Sequence, residues 1–302
     1  MSSIKKYMKV GIIFHVIYNN IMEEEENLIK KLTKIATDDY FDSIEIPEIK
    51  NESMLKKIKD ICEISKLDIF YGAQSILLKE NLNLNDLDSE KRELAISRMK
   101  EAIDEAYKVG AKGFFFLAGH YSNETKDKQL SYLIESTKEI CRYAKDRGDM
   151  SILCEIFDYD IDKKSLIGPT KLAKKYAEEV RKEFDNFGLL VDCSHIPMLY
   201  ESFEEAILPI KDYIKHAHMG NTVIQEFEIG YGDNHPRFGF PNSKNDIEEL
   251  AKYLQVLKDI GYLNEENLHT VSFEVKPIVG EDSELVIANA KRTLNHAWRL
   301  IK

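Results

Sequence analysis

Short runs of apolar, β-branched and aromatic residues alternate along this chain with longer stretches in which apolar positions recur every three or four residues among charges. Eight of the short runs read as strands: "KVGIIFHV" (9–16), "FDSIEIPEI" (41–49), "LDIFYGAQSIL" (67–77), "KGFFFLAG" (112–119), "MSILCEIFD" (150–158), "FGLLVDCSH" (187–195), "IKHAHMGN" (214–221) and "HTVSFEVKP" (269–277). They are nearly continuous in apolar character, the pattern of parallel strands covered on both faces. The stretches between them read as amphipathic helices with recognisable ends. "SEKRELAISRMKEAIDEAYKVG" opens with Ser89 as an N-cap and closes on Gly110. "GPTKLAKKYAEEVRKEFDNFG" sets Pro169 near a helix start and Gly188 beyond its end, and "NDIEELAKYLQVLKDIGY" repeats the arrangement. The acidic run Glu23 to Glu26 reads as the solvated start of the first helix, where negative charge suits the dipole.

Eight strand–helix units at a spacing of roughly 30–40 residues predict a single (β/α)8 TIM barrel over residues 1–302. A doubly wound open sheet would place a Gly-rich turn after its first strand, and "FHVIYNNIM" contains no glycine. No low-complexity segment divides the chain.

Composition narrows the partners. With a formal net charge of -11 the chain carries no overall basic footprint for nucleic acid, although a local groove stays open. Cys62, Cys141, Cys154 and Cys193 are scattered without metal-ribbon spacing, as expected of reduced thiols in a cytoplasmic protein. No apolar run approaches the length of a membrane span, and the first twenty residues read as a strand rather than a leader. A small-molecule substrate without membrane or nucleic-acid partners is expected. Homo-oligomerisation is left open.

The chemistry sits where the strands end. In "IKHAHMGN", His216 and His218 are two residues apart and share a face of the strand. The fifth run carries Glu155 near its end, the sixth Asp192 and His195, the seventh His218 and the eighth Glu274. In a barrel these C-terminal ends converge on one mouth. A buried charge is costly unless paired or coordinated, and this set concentrates about three negative charges, for which one divalent cation is the simplest remedy. Three carboxylates with one imidazole and no thiolate suit Mn²⁺, with Mg²⁺, Co²⁺ or Zn²⁺ as alternatives. Upstream, His15, Glu45, Gln74 and His120 fall near the ends of the first four strands. They either line the same mouth and select substrate hydroxyls or cap the strand ends. Lys276, two residues past Glu274, is placed to pair with one of the carboxylates. The polar segment "GYGDNHPRFG" reads as a catalytic loop.

The segments "CEIFD", "VDCSH", "HAHMGN", "GYGDNHPRFG" and "SFEVKP" resemble the xylose-isomerase-like TIM barrels, which include sugar isomerases, ketose 3-epimerases, inosose dehydratases and endonuclease IV. The resemblance covers essentially the whole chain, and its specific part is the Glu–Asp–His–Glu spacing across the last four strands. It implies that Glu155, Asp192, His218 and Glu274 hold one divalent metal ion. It also implies that Glu155 and Glu274 exchange protons with a sugar or sugar phosphate through an enediolate, as an epimerase or aldose–ketose isomerase. His195 matches the family's D-x-x-H histidine, which contacts substrate in epimerases and a further metal in the endonuclease. Asp233 and His235 form a D-x-H that resembles the endonuclease's third-metal motif; in a sugar enzyme His235 would touch substrate with Asp233 behind it, or the pair would staple the loop. His216 stands behind the ligands or is a satisfied core histidine. Family epimerases place an arginine shortly after the metal histidine to hold a substrate oxygen, where this chain has "TVIQEF". Arg237 is the nearest replacement, or a surface residue. Three rival readings remain: an inosose-type dehydratase on the same site, a non-catalytic sugar-binding barrel, and an endonuclease IV-like phosphodiesterase. The last is opposed by net charge and by Gln74, which stands where the endonuclease has a metal histidine.

Overall fold

Alternation along parallel strands decides which side chains reach the centre of this molecule and which face its helices. The structure, a computed structural model, describes residues 3–19, 25–278 and 280–302. Its strands are β1 Lys9–Ile13, β2 Ser43–Ile46, β3 Asp68–Gly72, β4 Gly113–Leu117, β5 Ser151–Glu155, β6 Phe187–Asp192, β7 Ile214–Gly220 and β8 Thr270–Glu274. All neighbours pair in parallel, and β8 pairs with β1 to close the barrel. The helices are α1 Phe14–Ile17, α2 Glu25–Ala36, α3 Glu52–Ser65, α4 Gln74–Lys79, α5 Ser89–Val109, α6 Lys126–Lys145, α7 Thr170–Arg181, α8 Phe203–Ile207, α9 Ile247–Asp259 and α10 Ser283–Trp298. The (β/α)8 barrel expected from the sequence is the fold. The sixth unit is reduced, with the five-residue α8 and a 3₁₀ turn at Leu208–Tyr213 standing where a full helix would lie.

Several boundaries differ from the sequence expectation, each for a local reason. The first and third apolar runs leave the sheet early and turn into α1 and α4, so His15 and Gln74 stand on short helices just beyond their strands. The N-cap of α5 is Asp88, whose carboxylate accepts from the Glu90 amide; Ser89 is the first helical residue. Gly110 does close that helix in the left-handed region, at φ 83°. Gly188 lies inside β6, because α7 has already ended at Arg181. Glu25 and Glu26 open α2, whereas Glu23 and Glu24 lie outside the described residues.

The outward faces of the strands pack against the helices in one large apolar core. The barrel interior holds a separate apolar plug of Phe115, Leu153 and Leu190 with Phe70 against it. The His216 ring rests on this plug, 4.5 Å from Phe115 and 4.7 Å from Phe70 between ring centres. Two residues further along the strands, the same inward face presents Glu155 above Leu153, Asp192 above Leu190 and His218 above His216. Register brings Asp192 opposite His218 and Gly220 opposite Glu274, after an irregularity between β6 and β7 at Leu189/Leu190. The plug is therefore the floor of whatever stands at the mouth. Among the described residues no helix is long and apolar enough to cross a membrane.

Beside the plug, on the β1 side of the barrel, the interior narrows to the backbone. A Cβ on Gly11 would meet Ser272 Oγ at 2.2 Å and Ser43 Oγ at 2.4 Å. Gly11→Ala is expected to cost about 1–3 kcal/mol in urea unfolding by forced overpacking. Ser272→Gly combined with Ser43→Gly should recover much of that loss. A Gly11→Ala protein as stable as the parent would show that the interior yields there.

Candidate metal centre

Four side chains from four consecutive strands meet above the plug. Glu155, Asp192, His218 and Glu274 each offer a ligand atom, and these atoms all lie within 4.8 Å of one another. Each residue is held by one atom and turns another toward the centre of the group, where His218 Nδ1 and Glu274 Oε2 face each other at 2.8 Å. Gln74 Nε2 donates to Glu155 Oε2 at 2.6 Å. The Ser194 amide donates to Asp192 Oδ1 at 2.7 Å. His218 Nε2 lies 3.0 Å and 3.2 Å from the two Glu45 oxygens. His235 Nε2 stands 3.3 Å from Glu274 Oε1. The atoms left over are Glu155 Oε1, Asp192 Oδ2, His218 Nδ1 and Glu274 Oε2. Among the described residues they are four of the ten buried side-chain atoms that lack a hydrogen-bond partner. Such atoms are costly to bury and rare in native interiors. Their gathering at one point fits a divalent cation, which would take all four as ligands.

Glu45 organises the far side of this cluster. Its carboxylate accepts from His216 Nε2 at 2.7 Å as well as from His218. Burial would raise its pKa, but the two histidines hold it well below the usual carboxylate range. Because a carboxylate accepts hydrogen bonds, this contact puts the His218 proton on Nε2 and leaves Nδ1 as the donor to a metal. Glu45 was expected to contact substrate; although it lines the cavity, its oxygens are committed to the two histidines. His216 stands behind Glu45, as one of its two expected readings had it.

A second knot sits beside the first. His195 Nδ1 donates to the Ile156 carbonyl at 2.8 Å, and its Nε2 lies 2.9 Å from Asp233 Oδ1. Both nitrogens therefore carry protons. Burial opposes that charge, but Asp192 and Asp233 push the ring's pKa up to about 10. The same Asp233 oxygen is 2.7 Å from His235 Nε2, and Asp233 Oδ2 is 2.7 Å from Lys163 Nζ. Burial likewise opposes charge on His235, which Glu274 and Asp233 nonetheless raise to about 9. The D-x-H pair is thus a hydrogen-bonded staple between loops. Asp192, His195 and His235 also form a group that could hold a metal ion.

Lys163 is the residue that sequence reasoning missed. It sits in the loop after β5, where Asp158 accepts backbone hydrogen bonds from Ile161, Asp162, Lys163 and Lys164 at 2.7–3.3 Å. Asp162 accepts from the Asp233 amide at 2.8 Å, tying this loop to the one after β7. An aspartate three to six residues ahead of those amides was a readable capping signal.

The cavity over the metal group has a volume of about 220 Å³. His15, Gln74, Lys163, His235, Glu274 and Lys276 line it. His15 Nδ1 is buried without a partner, and burial lowers this ring's pKa to about 4 against the pull of Glu45. Three expectations need correction. His120 is exposed and outside the cavity; its carbonyl accepts from Asn85 and Gln129. Arg237 also lies outside, its guanidinium paired with Glu281 at 2.8 Å and bonded to the Phe238 and Gly239 carbonyls. His195 is buried directly behind the cavity wall formed by Glu155, Phe157 and Asp233, with both nitrogens occupied by Ile156 and Asp233. Lys276 reaches the cavity but pairs with none of the carboxylates.

Comparison with known proteins gives the same architecture. A family model described as a xylose isomerase-like TIM barrel matches residues 35–286. No curated protein sequence matches. Among solved structures, an IOLI protein with a bound zinc atom superposes with a TM-score of 0.73 at 17% identity, covering 98% of this chain and 100% of its own. A D-tagatose 3-epimerase-like protein gives 0.71 at 20% identity, with 97% and 99% coverage. D-psicose 3-epimerase of Clostridium cellulolyticum H10, solved with D-tagatose, gives 0.69 at 17% identity, with 98% and 100% coverage.

The role of Glu45 is testable by metal titration against a competing chelator. Glu45→Gln should weaken divalent-ion binding by about 10–100-fold, the usual effect of losing a carboxylate behind a ligating histidine. Unchanged affinity in a folded variant would remove Glu45 from the metal centre.

Proposed function

The chain belongs to the xylose isomerase-like TIM barrel family, and on that premise we propose that it is a metal-dependent isomerase or epimerase of a small sugar or polyol. The convergence of four buried ligand atoms, none with a hydrogen-bond partner outside the group, at the base of a cavity carries this reading. Glu155, Asp192, His218 and Glu274 would hold one divalent ion, with Mn²⁺ the best match to three oxygens and one nitrogen. When bound, that ion supplies Lewis-acid stabilisation to negative charge developing on a substrate oxygen.

The rest is done by the chain itself. Glu155 on β5 and Glu274 on β8 both line the cavity, so a ligand seated there meets a carboxylate from each side. One glutamate removes the proton from the carbon beside the carbonyl, and the resulting enediolate receives a proton back. Return to the same carbon from the opposite face epimerises the sugar; return to the neighbouring carbon interconverts aldose and ketose. Burial raises the pKa of the Glu274 carboxyl, against the pull of His235 and His218. Gln74 fixes one oxygen of Glu155 and so orients the other. His15 and His235 line the cavity and would contact substrate hydroxyls. The cavity is smaller than the ~300–1,000 Å³ of sites for drug-sized ligands, which favours a monosaccharide over a polymer.

One observation favours a phosphodiesterase, namely the second candidate group of Asp192, His195 and His235. Against it, both His195 nitrogens are taken and the Lys163 ammonium already neutralises Asp233. Incubation with an abasic duplex at low salt and excess Zn²⁺ or Mn²⁺ is expected to leave the DNA intact. Incision that is lost in His235→Ala would overturn the sugar assignment.

Glu155→Gln and Glu274→Gln should each abolish turnover of a panel of ketoses, aldoses and inososes, together with solvent-deuterium incorporation beside the carbonyl. Incorporation surviving in both variants would point to a different base.

A further inference from the structure

Nearly every charge around the cavity is answered from within the protein. Glu45 is bonded to His216 and His218. Asp233 is bonded to Lys163, His195 and His235. Glu155 and Glu274 belong to the metal group, and Lys163 is neutralised by Asp233 at 2.7 Å and Asp162 at 3.4 Å. The exception is Lys276. Its amide donates to the His235 carbonyl at 2.7 Å, which seats it beside the loop after β7, and its half-buried side chain lines the cavity. Among the described residues no ion pair or hydrogen bond reaches its ammonium.

An ammonium drawn partly out of water with no counter-charge is unfavourable, and an incoming anion relieves it. We propose that the substrate of this barrel carries a carboxylate, held by Lys276, beside the polyhydroxy carbonyl unit that meets the metal centre. The inference rests on the sugar-isomerase reading and narrows its substrate class to sugar acids. The charge match selects a carboxylate over a phosphate. A lone ammonium balances a monoanion, whereas a phosphate dianion usually gathers several donors or a helix N-terminus. The other lysine in the cavity wall is already spent on two aspartates. Placement also fits a short substrate, since residues two apart in extended chain lie only about 7 Å apart, which puts the Lys276 backbone close to that of the ligand Glu274.

The test uses the full-length, metal-loaded protein and three probes sharing one skeleton: D-fructuronate, D-fructose and D-fructose 6-phosphate. Binding is read by calorimetry, so the result does not depend on turnover. The uronate should bind about 10–100-fold more tightly than the neutral ketose, the worth of one charge-assisted hydrogen bond. That preference should vanish in Lys276→Gln and persist in Lys276→Arg, with metal content unchanged in both. The unchanged metal content matters because a carboxylate could also gain affinity by chelating the ion directly. Equal affinity for uronate and ketose, a preference that survives Lys276→Gln, or tighter binding of the phosphate would each overturn the proposal. Failure of the isomerase reading looks different: the uronate would show its Lys276-dependent preference while no probe exchanges solvent deuterium.

Discussion

A carboxylate taken out of water must be met by a donor or a cation, and the mouth of this barrel is arranged around that requirement. Five acidic side chains, Glu45, Glu155, Asp192, Asp233 and Glu274, converge within a few ångströms of four histidines and a lysine. Two of the acids are fully answered by protein groups. Glu155 and Asp192 are answered on one oxygen only, while the inner atoms of Glu274 and His218 meet nothing but each other. Partial satisfaction is what makes the cluster receptive. Full pairing would leave an inert ion-pair network, and no pairing would leave the ligands free to swing.

The supports for this cluster come from different parts of the chain than the ligands do. Glu45 comes from β2 and Gln74 from α4, on the far side of the barrel from Asp192 on β6. The staple over the second knot joins the loop after β5 to the loop after β7 through Lys163, Asp162 and Asp233. A rigid strand layer thus fixes the donor atoms, while two tethered loops fix the wall above them. The apolar plug is built from strand residues and from neither loop, so changes in the wall can alter what is bound without replacing the floor.

Much of this was readable in the residues. All eight strands fall within the apolar runs, and the residues picked at the ends of the last four are those whose ligand atoms converge. Periodicity carried that information, because an inward apolar residue two positions earlier marks the inward polar one. What stayed illegible were side chains whose roles depend on a partner distant in sequence. Glu45 reads as one more polar strand-end residue until β7 is wrapped round beside it. Arg237 looked like an anion binder because nothing in its own segment shows Glu281 waiting forty-four residues on. His120 reads as inward because its apolar run continues past Leu117, where the chain has already left the sheet. Lys163 lies in a loop without periodicity, and only the cap on Asp158 marks the turn that holds it.

The inward face places Glu155, Asp192 and His218 each two residues beyond a member of the plug layer, which constrains how this chain can change over evolutionary time. Substituting a residue on a strand alters one side chain, but deleting or inserting one before a ligand reverses the parity of everything after it. Asp192 would then point into the helix layer and Val191 into the mouth. Length variation is accordingly confined to the loops, and even there the staple between the two loops after β5 and β7 restricts it. Lineages descended from this barrel can gain or lose specificity by exchanging residues at fixed positions. Lengthening or shortening the strands by one is closed to them.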